Sequence, residues 1–180
     1  MKHITVIGAG TMGNGIVHVF AQNGYNVSLF DINQAAIDKG LATINKNMDR
    51  QIAKGTLTEA EKSTALGAIK TYTEMAPAVR DADLVIEAAS ERLEIKLAIF
   101  KQLDELTKPS CILASNTSSI SITQIAAATG RPEQVIGMHF MNPVPIMKLV
   151  EVIRGYSTSN EVTETILSLS EKLGKTFTRN

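Results

Sequence analysis

The chain has 180 residues, of which 44% are hydrophobic, so it can bury one core but is short for two ordinary domains. Its 18 basic residues balance its 18 acidic residues, which leaves no overall field to attract nucleic acid or an acidic membrane surface. It has a single cysteine and no apolar run long enough to span a membrane. We therefore expect residues 1–180 to form one domain of a soluble, cytoplasmic protein that binds neither nucleic acid nor membrane.

Short runs of β-branched and apolar residues recur along the chain and predict strands. These runs are Ile4 to Ile7, Val27 to Phe30, Leu84 to Ile86, Cys111 to Ala114, Val135 to Met138 and Leu149 to Ile153. Segments with helical spacing lie between the early runs, such as Met12 to Asn23 and Ile95 to Leu106. This alternation predicts a doubly wound α/β fold with a mostly parallel sheet covered by helices on both faces.

The region from Asn33 to about Ile69 is long enough for two helices, separated near Gly55. Thr58 followed by Glu61 has the spacing of a capping box, which marks the start of the second helix. We therefore expect an inserted helical hairpin that projects from the sheet.

The last two predicted strands are joined by Met141 to Lys148, which is too short for a crossover helix. These strands are therefore expected to be antiparallel neighbours. A helix from about Glu161 to Leu173, ended by Gly174, leads into Lys175 to Thr178, a candidate for one more strand.

A glycine-rich sequence follows the first strand and opens the first helix. Glycines at this spacing permit a tight turn, close approach of a pyrophosphate to the backbone and close packing of helix on strand. The N-terminus of the helix would then face the phosphates. The context predicts a dinucleotide site of the Rossmann type, formed by Gly8, Gly10, Thr11, Met12 and Gly13.

The second predicted strand ends at Asp31, near the position where an acidic side chain binds the adenosine ribose in such sites. A helix cap for the segment that begins near Gln34 is the structural alternative. The carboxylate would repel a 2′-phosphate, and no lysine or arginine follows before Lys39. The pattern favours NAD over NADP as the cofactor.

Oxidation of an alcohol by hydride transfer requires a base for the hydroxyl proton, and histidine suits neutral pH. His3 begins the first strand, far from the glycine turn, and His18 lies within a helix, so both have ordinary structural explanations. His139 ends a strand, where open α/β sheets bind ligands. A hairpin would place Glu151 across from His139, where a carboxylate can fix the imidazole tautomer. A purely structural histidine–glutamate pair explains the same pattern.

Three further side chains follow the ends of predicted strands. Ser118 lies in a Ser/Thr cluster before a helix, where it is either a cap or a contact to a substrate hydroxyl. Glu91 and Lys96 follow the strand Leu84 to Glu87 and are within reach of a cofactor at that edge. As an exposed acid and a helix-face lysine, they would ordinarily have no function.

Lys46, Arg50 and Lys54 recur every four residues and place three cations on one face of the helical hairpin. A solvated helix face explains this stripe. If the substrate carries coenzyme A, the same stripe could bind its phosphates.

Four segments, in this order, resemble the successive motifs of the 3-hydroxyacyl-CoA dehydrogenases. They are Gly-Ala-Gly-Thr-Met-Gly, Leu-Val-Ile-Glu-Ala-Ala-Ser-Glu-Arg, Ile-Leu-Ala-Ser-Asn-Thr-Ser-Ser and Gly-Met-His-Phe-Met-Asn-Pro-Val-Pro-Ile-Met-Lys-Leu-Val-Glu-Val-Ile. The likeness extends along the whole chain and is nearest to the bacterial 3-hydroxybutyryl-CoA dehydrogenases of butyrate-type metabolism. It implies oxidation of an (S)-3-hydroxyacyl-CoA to the 3-oxoacyl-CoA with NAD, or the reverse reaction with NADH.

The resemblance also implies roles for individual residues. His139 would be the acid/base, Glu151 its partner, and Ser118 a contact to the substrate oxygen and the cofactor. The nicotinamide half of the site would be lined by Glu91, Lys96 and Asn142. Arg50 and Lys54 would face coenzyme A.

Members of this family continue into a Pro-Gly-Phe-x-x-Asn-Arg motif and a helical domain that supplies an active-site asparagine, much of the substrate pocket and the homodimer interface. We find neither in these 180 residues. We therefore expect a truncated chain that binds NAD with little or no turnover, since catalysis needs both reactants held.

Two other functions stay open on the sequence. One is a non-catalytic NAD/NADH-binding module, or half of a split enzyme that pairs with a separate helical chain. The other is a related dehydrogenase that acts on a free hydroxy acid or sugar acid.

Overall fold

A single eight-stranded sheet organises the structure, a computed structural model that describes all 180 residues. The strand order is β3-β2-β1-β4-β5-β6-β7-β8, and every neighbouring pair is parallel except β6 and β7. The strands are β1 (His3–Ile7), β2 (Asn26–Phe30), β3 (Ile69–Tyr72), β4 (Leu84–Glu87), β5 (Ile112–Ser115), β6 (Val135–Phe140), β7 (Leu149–Arg154) and β8 (Thr176–Arg179). The expected Rossmann-type doubly wound sheet is therefore confirmed.

Seven α-helices connect the strands and cover both faces of the sheet. They are α1 (Thr11–Gln22), α2 (Gln34–Ala53), α3 (Glu59–Gly67), α4 (Met75–Val79), α5 (Leu93–Leu106), α6 (Ile122–Ala126) and α7 (Asn160–Lys172). A short 3-10 turn, Pro132–Gln134, precedes β6. None of these helices combines the length and the apolar character needed to cross a bilayer.

Alternate residues of the central strands enter two separate cores, because successive side chains of a strand point to opposite faces. Val6 and Ile86 belong to a cluster of 30 buried residues that includes the apolar sides of α1, α2 and α7. Ile7 and Val85 belong to a cluster of 14 that includes residues of α4, α5 and α6. Because both faces of the sheet are buried, the sequences of these strands are continuous apolar runs.

The chain reverses direction across the sheet between β1 and β4. From β1 the strands run outward to β2 and β3, and the chain then returns to β4 on the other side of β1. Crevices at the carboxyl ends of strands beside such a reversal are where open α/β sheets bind ligands. The fold thus predicts a site above Ile7 and Glu87, the last residues of these two strands.

The expected inserted helical hairpin is present, formed by α2 and α3, and one face of it is buried. Ile44 and Met48 of α2 are fully buried in the larger core cluster, and Ala65 of α3 joins them. The hairpin therefore packs along α1. The capping box of Thr58 and Glu61 is confirmed, with both reciprocal hydrogen bonds formed.

Two elements were missed by the sequence patterns. Edge strand β3, Ile69–Tyr72, is only half-buried and lacks a strong apolar run. Helix α4, Met75–Val79, is too short to show helical periodicity. The predicted strand at Lys175 to Thr178 is confirmed as β8, which pairs parallel to β7.

Cys111 is fully buried just before β5, as expected for a small apolar residue. Burial raises the pKa of its thiol to about 12, although the nearby Arg131 and Lys108 oppose this change. A thiol in this state is a poor nucleophile at neutral pH. Cys111 therefore has no part in the candidate site.

Asp83 fixes the start of β1 beside β4. Its carboxylate accepts hydrogen bonds from the backbone N–H groups of Lys2 and His3 and from Lys108 Nζ. Desolvation alone would raise its pKa, but these bonds hold the pKa well below the ordinary value. A depressed carboxyl pKa stabilises the fold above the unfolded-state value, and the stabilisation is lost as the pH falls.

We therefore expect Asp83→Asn to lower the free energy of unfolding at pH 7 by about 2 kcal/mol. The difference in the free energy of unfolding between variant and wild type should become smaller as the pH is lowered below 4, because protonation of Asp83 removes the same charge from the wild type. Urea unfolding at several pH values measures this difference. A gap that did not depend on pH would contradict the assignment to the charge of Asp83.

Candidate active site

The turn between β1 and α1 leaves the N-terminus of α1 open. Gly8 has a φ of +104°, which favours glycine, and Gly13 packs so tightly that an added Cβ would lie 1.7 Å from the carbonyl oxygen of Gly8. At Gly10, in contrast, nothing lies within 4 Å of an added Cβ, and no side chain caps the helix. The free N–H groups and positive end of α1 therefore face open space, where an anionic group can bind.

Asp31 lies just beyond β2, beside the glycine turn. Its Oδ2 accepts a hydrogen bond from Ala9 N at 3.0 Å and its Oδ1 accepts one from Asn33 N at 2.9 Å. The cap of α2 is Asn33, whose side chain accepts from Ala35 N. Asp31 is thus not the helix cap, and its half-buried carboxylate ties the end of β2 to the glycine turn.

A cavity of about 400 Å³ lies at the carboxyl edge of the sheet. It brings together six of the side chains singled out in the sequence, namely Met12, Glu91, Lys96, Ser118, His139 and Asn142. The other lining residues are Phe140, the last residue of β6, and residues of the segments that follow β4, β5 and β6. The cavity therefore lies next to the start of α1, as the strand order predicts.

His139 and Glu151 face each other across the antiparallel pair of β6 and β7. His139 Nδ1 lies 3.4 Å from Glu151 Oε2, and both side chains are partly buried. With Nδ1–H donating to the carboxylate, Nε2 is the basic nitrogen of the imidazole. The pair thus has the arrangement of a general base with an orienting carboxylate.

Glu91 joins the segment after β4 to the segment after β5. Its Oε1 accepts hydrogen bonds from Thr117 Oγ1 at 2.6 Å and from the backbone N–H of Ser118 at 2.8 Å, and Ser118 Oγ lies 3.1 Å away. Desolvation would raise the pKa of Glu91, but these bonds and the charge of Lys96 lower it to about 2. Glu91 is therefore ionised at neutral pH and positions Ser118.

Lys96 is buried, although its place on a helix face indicated an exposed residue. Only 1% of it is exposed, because α5 turns this side chain under the cavity toward Glu87. Lys96 Nζ lies 2.7 and 2.9 Å from the two carboxylate oxygens of Glu87 and 3.5 Å from Glu91 Oε2. The ion-paired side chain of Lys96 thus forms part of the floor of the cavity.

Sequence reasoning missed two residues of this edge, Glu87 and Asn116. Glu87 ends the otherwise apolar β4, and an acid at the carboxyl end of a buried central strand could have marked it. Asn116 follows β5, and its Oδ1 accepts a hydrogen bond from Phe140 N at 2.8 Å. This bond holds the end of β6 beside the cavity, next to His139.

The loop after β6 packs directly on α1. An added Cβ at Gly15 would lie 2.8 Å from Val144 Cβ, so the loop touches the backbone of the helix. The same loop places Asn142 in the main cavity and lines a neighbouring cavity of about 220 Å³ with Pro143. Arg50 and Lys54 line that second cavity. They lie apart from His139, and neither forms an ion pair.

The other two histidines lie outside the candidate site. His3 lines a separate cavity at the amino ends of β1 and β2. His18 is fully buried between Gln22 and Gln51, and burial lowers its pKa. Both agree with the structural explanations given to them.

Residues 3–179 match the family described as 3-hydroxyacyl-CoA dehydrogenase, NAD binding domain. The chain belongs to this family.

Relatives and solved structures agree with this membership. The chain is 53% identical over 171 residues to a probable 3-hydroxybutyryl-CoA dehydrogenase from Deinococcus radiodurans, covering 95% of this chain and 61% of the relative. It is 50% identical over 175 residues to the 3-hydroxybutyryl-CoA dehydrogenase of Bradyrhizobium diazoefficiens, covering 97% and 59%. The crystal structure of (S)-3-hydroxybutyryl-CoA dehydrogenase from Ralstonia eutropha superposes with a TM-score of 0.96 at 47% identity, covering 99% of this chain and 63% of that one. The chain thus spans less than two thirds of these relatives.

The NAD of this family fits the residues present. The open space at Gly10 is a cradle that a Cβ would fill, and it lies at the uncapped N-terminus of a 12-residue helix. Asp31 stands at the end of the adjacent strand with no cation paired to it, a combination that disfavours a 2′-phosphate. Asp31 is bonded to the glycine turn through Ala9 N, and Met12, at the other end of that turn, lines the main cavity.

Proposed function

We propose that this chain is the cofactor half of an NAD-dependent dehydrogenase that interconverts (S)-3-hydroxybutyryl-CoA, or another short-chain 3-hydroxyacyl-CoA, with the 3-oxoacyl-CoA. The observation that carries the proposal is the pairing of His139 with Glu151 in a cavity beside the open helix N-terminus. A module that only bound NAD would not need an oriented acid/base pair.

Bound NAD supplies the acceptor for the hydride that leaves the substrate carbon. His139 Nε2 takes the hydroxyl proton in the oxidation, and the imidazolium returns it to the oxygen in the reduction. Glu151 Oε2, 3.4 Å from Nδ1, accepts the hydrogen bond from Nδ1–H. Glu151 thereby keeps Nε2 unprotonated at the start of the oxidation and stabilises the imidazolium that forms. Ser118 contacts the substrate oxygen and the cofactor.

The remaining residues are assigned to binding. Gly8, Gly10, Thr11, Met12 and Gly13 hold the pyrophosphate, and Asp31 holds the adenosine ribose. Glu91, Lys96 and Asn142 line the nicotinamide half of the site. This assignment is supported by the shared cavity that Met12, Glu91, Lys96 and Asn142 line.

Arg50 and Lys54 are assigned to the phosphates of coenzyme A. Both cations lack a carboxylate partner and line a cavity next to Pro143 and Ile146. Ile146 is 70% exposed, so this cavity offers charge and apolar surface together. Such a surface suits a ligand with phosphates and an apolar arm.

The relatives are longer than this chain, and we assign the rest of the substrate pocket and a homodimer interface to a helical domain outside residues 1–180. In this view residues 1–180 are one NAD-binding domain. A cytoplasmic location is supported by the single cysteine, which forms no disulfide.

The test is a calorimetric titration of the chain with NADH and with NADPH, followed by an acetoacetyl-CoA reduction assay on the same sample. We expect NADH to bind more tightly than NADPH, with little or no turnover. Absence of NADH binding would overturn the proposal. Brisk turnover would show instead that these residues alone complete the active site.

A second experiment adds the helical domain of a relative as a separate chain. It distinguishes the cofactor half of a dehydrogenase from a non-catalytic module. NADH consumption that appears only when both pieces are present supports a dehydrogenase. If NADH binds but no turnover appears with the added domain, a non-catalytic NAD/NADH-binding role is favoured.

Asp31→Ala should weaken NADH binding by roughly ten- to a hundredfold, since a hydrogen bond to a charged group contributes about 1.5–3 kcal/mol and every 1.4 kcal/mol is tenfold. It should also narrow the preference for NADH over NADPH, because the carboxylate that repels a 2′-phosphate is gone. Titration with both cofactors measures the two effects. Asp38→Ala, at an exposed acid one turn into α2, serves as the control and should change neither. An unchanged NADH/NADPH ratio in Asp31→Ala would refute the assignment.

A further inference from the structure

The carboxylate of Glu87 is the most deeply buried charge of the candidate site. Glu87 is 0% exposed, and it accepts hydrogen bonds from Lys96 Nζ, Ser115 Oγ and the backbone N–H of Ala89. Lys96 is the only cation within 4.0 Å of this carboxylate. Both of its oxygens are therefore satisfied, and the carboxylate cannot move without breaking bonds to three different segments.

A contribution to the stability of the fold does not explain why β4 ends in a buried glutamate. Leu84, Val85 and Ile86 show that the strand is otherwise apolar. A buried ion pair replaced by apolar residues of similar volume is often neutral or more stable, because removal of two charges from water is costly. A different role for the charge of Glu87 therefore has to be considered.

The partner of Glu87 lies at the base of the main cavity. Lys96 lines this cavity but is only 1% exposed, so its charge acts on the cavity with little screening by solvent. Glu91 is its other carboxylate partner, at 3.5 Å, and the side chain of Glu91 is 45% exposed. Glu87 is thus the acid that opposes the field of Lys96 from within the protein.

We propose that Glu87 is a positioning residue that holds Lys96 in place and sets the electrostatic potential at the nicotinamide end of the cavity, and thereby the relative affinity for oxidised and reduced NAD. The inference rests on the proposed function, in which the nicotinamide ring enters this cavity. The ring is positively charged in NAD⁺ and neutral in NADH. Any fixed charge near the ring therefore acts on one form of the cofactor and not on the other.

Substitutions at the two partners should shift the cofactor preference in opposite directions. Glu87→Gln removes the negative charge of Glu87 and leaves the positive charge of Lys96. This change should weaken NAD⁺ binding and raise the ratio of the Kd for NAD⁺ to the Kd for NADH by roughly tenfold. One unit charge roughly 10 Å from the ring, at an effective dielectric constant of about 20, has an effect of this size. Lys96→Met should lower the same ratio. In the double variant the ratio should return close to that of the wild type.

The experiment is titration of the chain and its variants with NAD⁺, NADH and ADP, with thermal unfolding of each variant. ADP carries the adenosine and the two phosphates but no nicotinamide, so its affinity should not change. Ser115→Ala is the matched control, because it removes a hydrogen bond to Glu87 at 2.7 Å without removing a charge. It should leave the ratio unchanged.

Equal weakening of NAD⁺ and NADH in Glu87→Gln, or no change in either, would overturn the inference and leave the proposed function standing. If the wild type bound neither form, the proposed function itself would fail. If Glu87→Gln alone does not fold, the same substitution is measured in the Lys96→Met background, where no lysine is left without its partner. A rise in the ratio there supports the inference, and an unchanged ratio overturns it.

Discussion

Gly13→Ala is expected to lower the free energy of unfolding by about 3 kcal/mol and to abolish NADH binding. The added Cβ would lie 1.7 Å from the carbonyl oxygen of Gly8, a backbone atom that no side-chain rotation can displace. Relief of this clash requires α1 to move away from the end of β1. That movement would pull the N–H groups of the helix away from the phosphates they are proposed to bind.

Gly10→Ala is the matched control for this substitution. Nothing lies within 4 Å of an added Cβ at Gly10, so the free energy of unfolding should change by about 1 kcal/mol or less. NADH binding should still weaken by roughly tenfold or more, a loss of about 1.4 kcal/mol, because the methyl group occupies the space proposed for the pyrophosphate. Urea unfolding and NADH titration of both variants separate the two effects. A Gly13→Ala protein with wild-type stability would contradict the packing described here.

His139→Gln is expected to slow acetoacetyl-CoA reduction by on the order of 10²–10⁴-fold, the usual contribution of a general acid/base. The substitution removes the proton donor at Nε2 but changes little of the cavity volume. NADH affinity should therefore stay close to that of the wild type. The rate is measured by NADH oxidation in single-turnover conditions with the helical domain of a relative added, because the chain alone is expected to turn over little.

The same substitution at His3 provides the control, because His3 lines a cavity at the opposite edge of the sheet. His3→Gln should leave both the rate and NADH affinity unchanged. Loss of NADH binding together with activity in His139→Gln would mean that His139 is a structural residue. Full activity in His139→Gln would remove it from the chemistry.

The parts of the fold that the sequence predicted were those with local signals. The β-branched runs located the central strands, and the short connection from Met141 to Lys148 was enough to predict that β6 and β7 are antiparallel. That hairpin brought His139 opposite Glu151. Edge strand β3 had no comparable signal, because a half-buried strand of four residues alternates too briefly to be distinguished from a loop.

The ion pair of Glu87 and Lys96 could not be predicted, because its burial depends on tertiary packing. Lys96 occupies an ordinary position near the start of a helix, and Glu87 is one acid at the end of a strand. Only the approach of α5 to the carboxyl edge of β4 encloses both side chains. The burial of the two side chains depends on how closely α5 and β4 approach each other, and the local sequence does not determine that distance.

The contact between Gly15 and Val144 also constrains how this family of sequences can change. A residue larger than glycine at position 15 would meet the Val144 side chain at 2.8 Å, so a smaller residue would be needed at position 144. Loss of volume at position 144 alone would leave a gap against the helix. The two positions therefore form a compensating pair, whose substitutions are expected to covary although more than a hundred residues separate them.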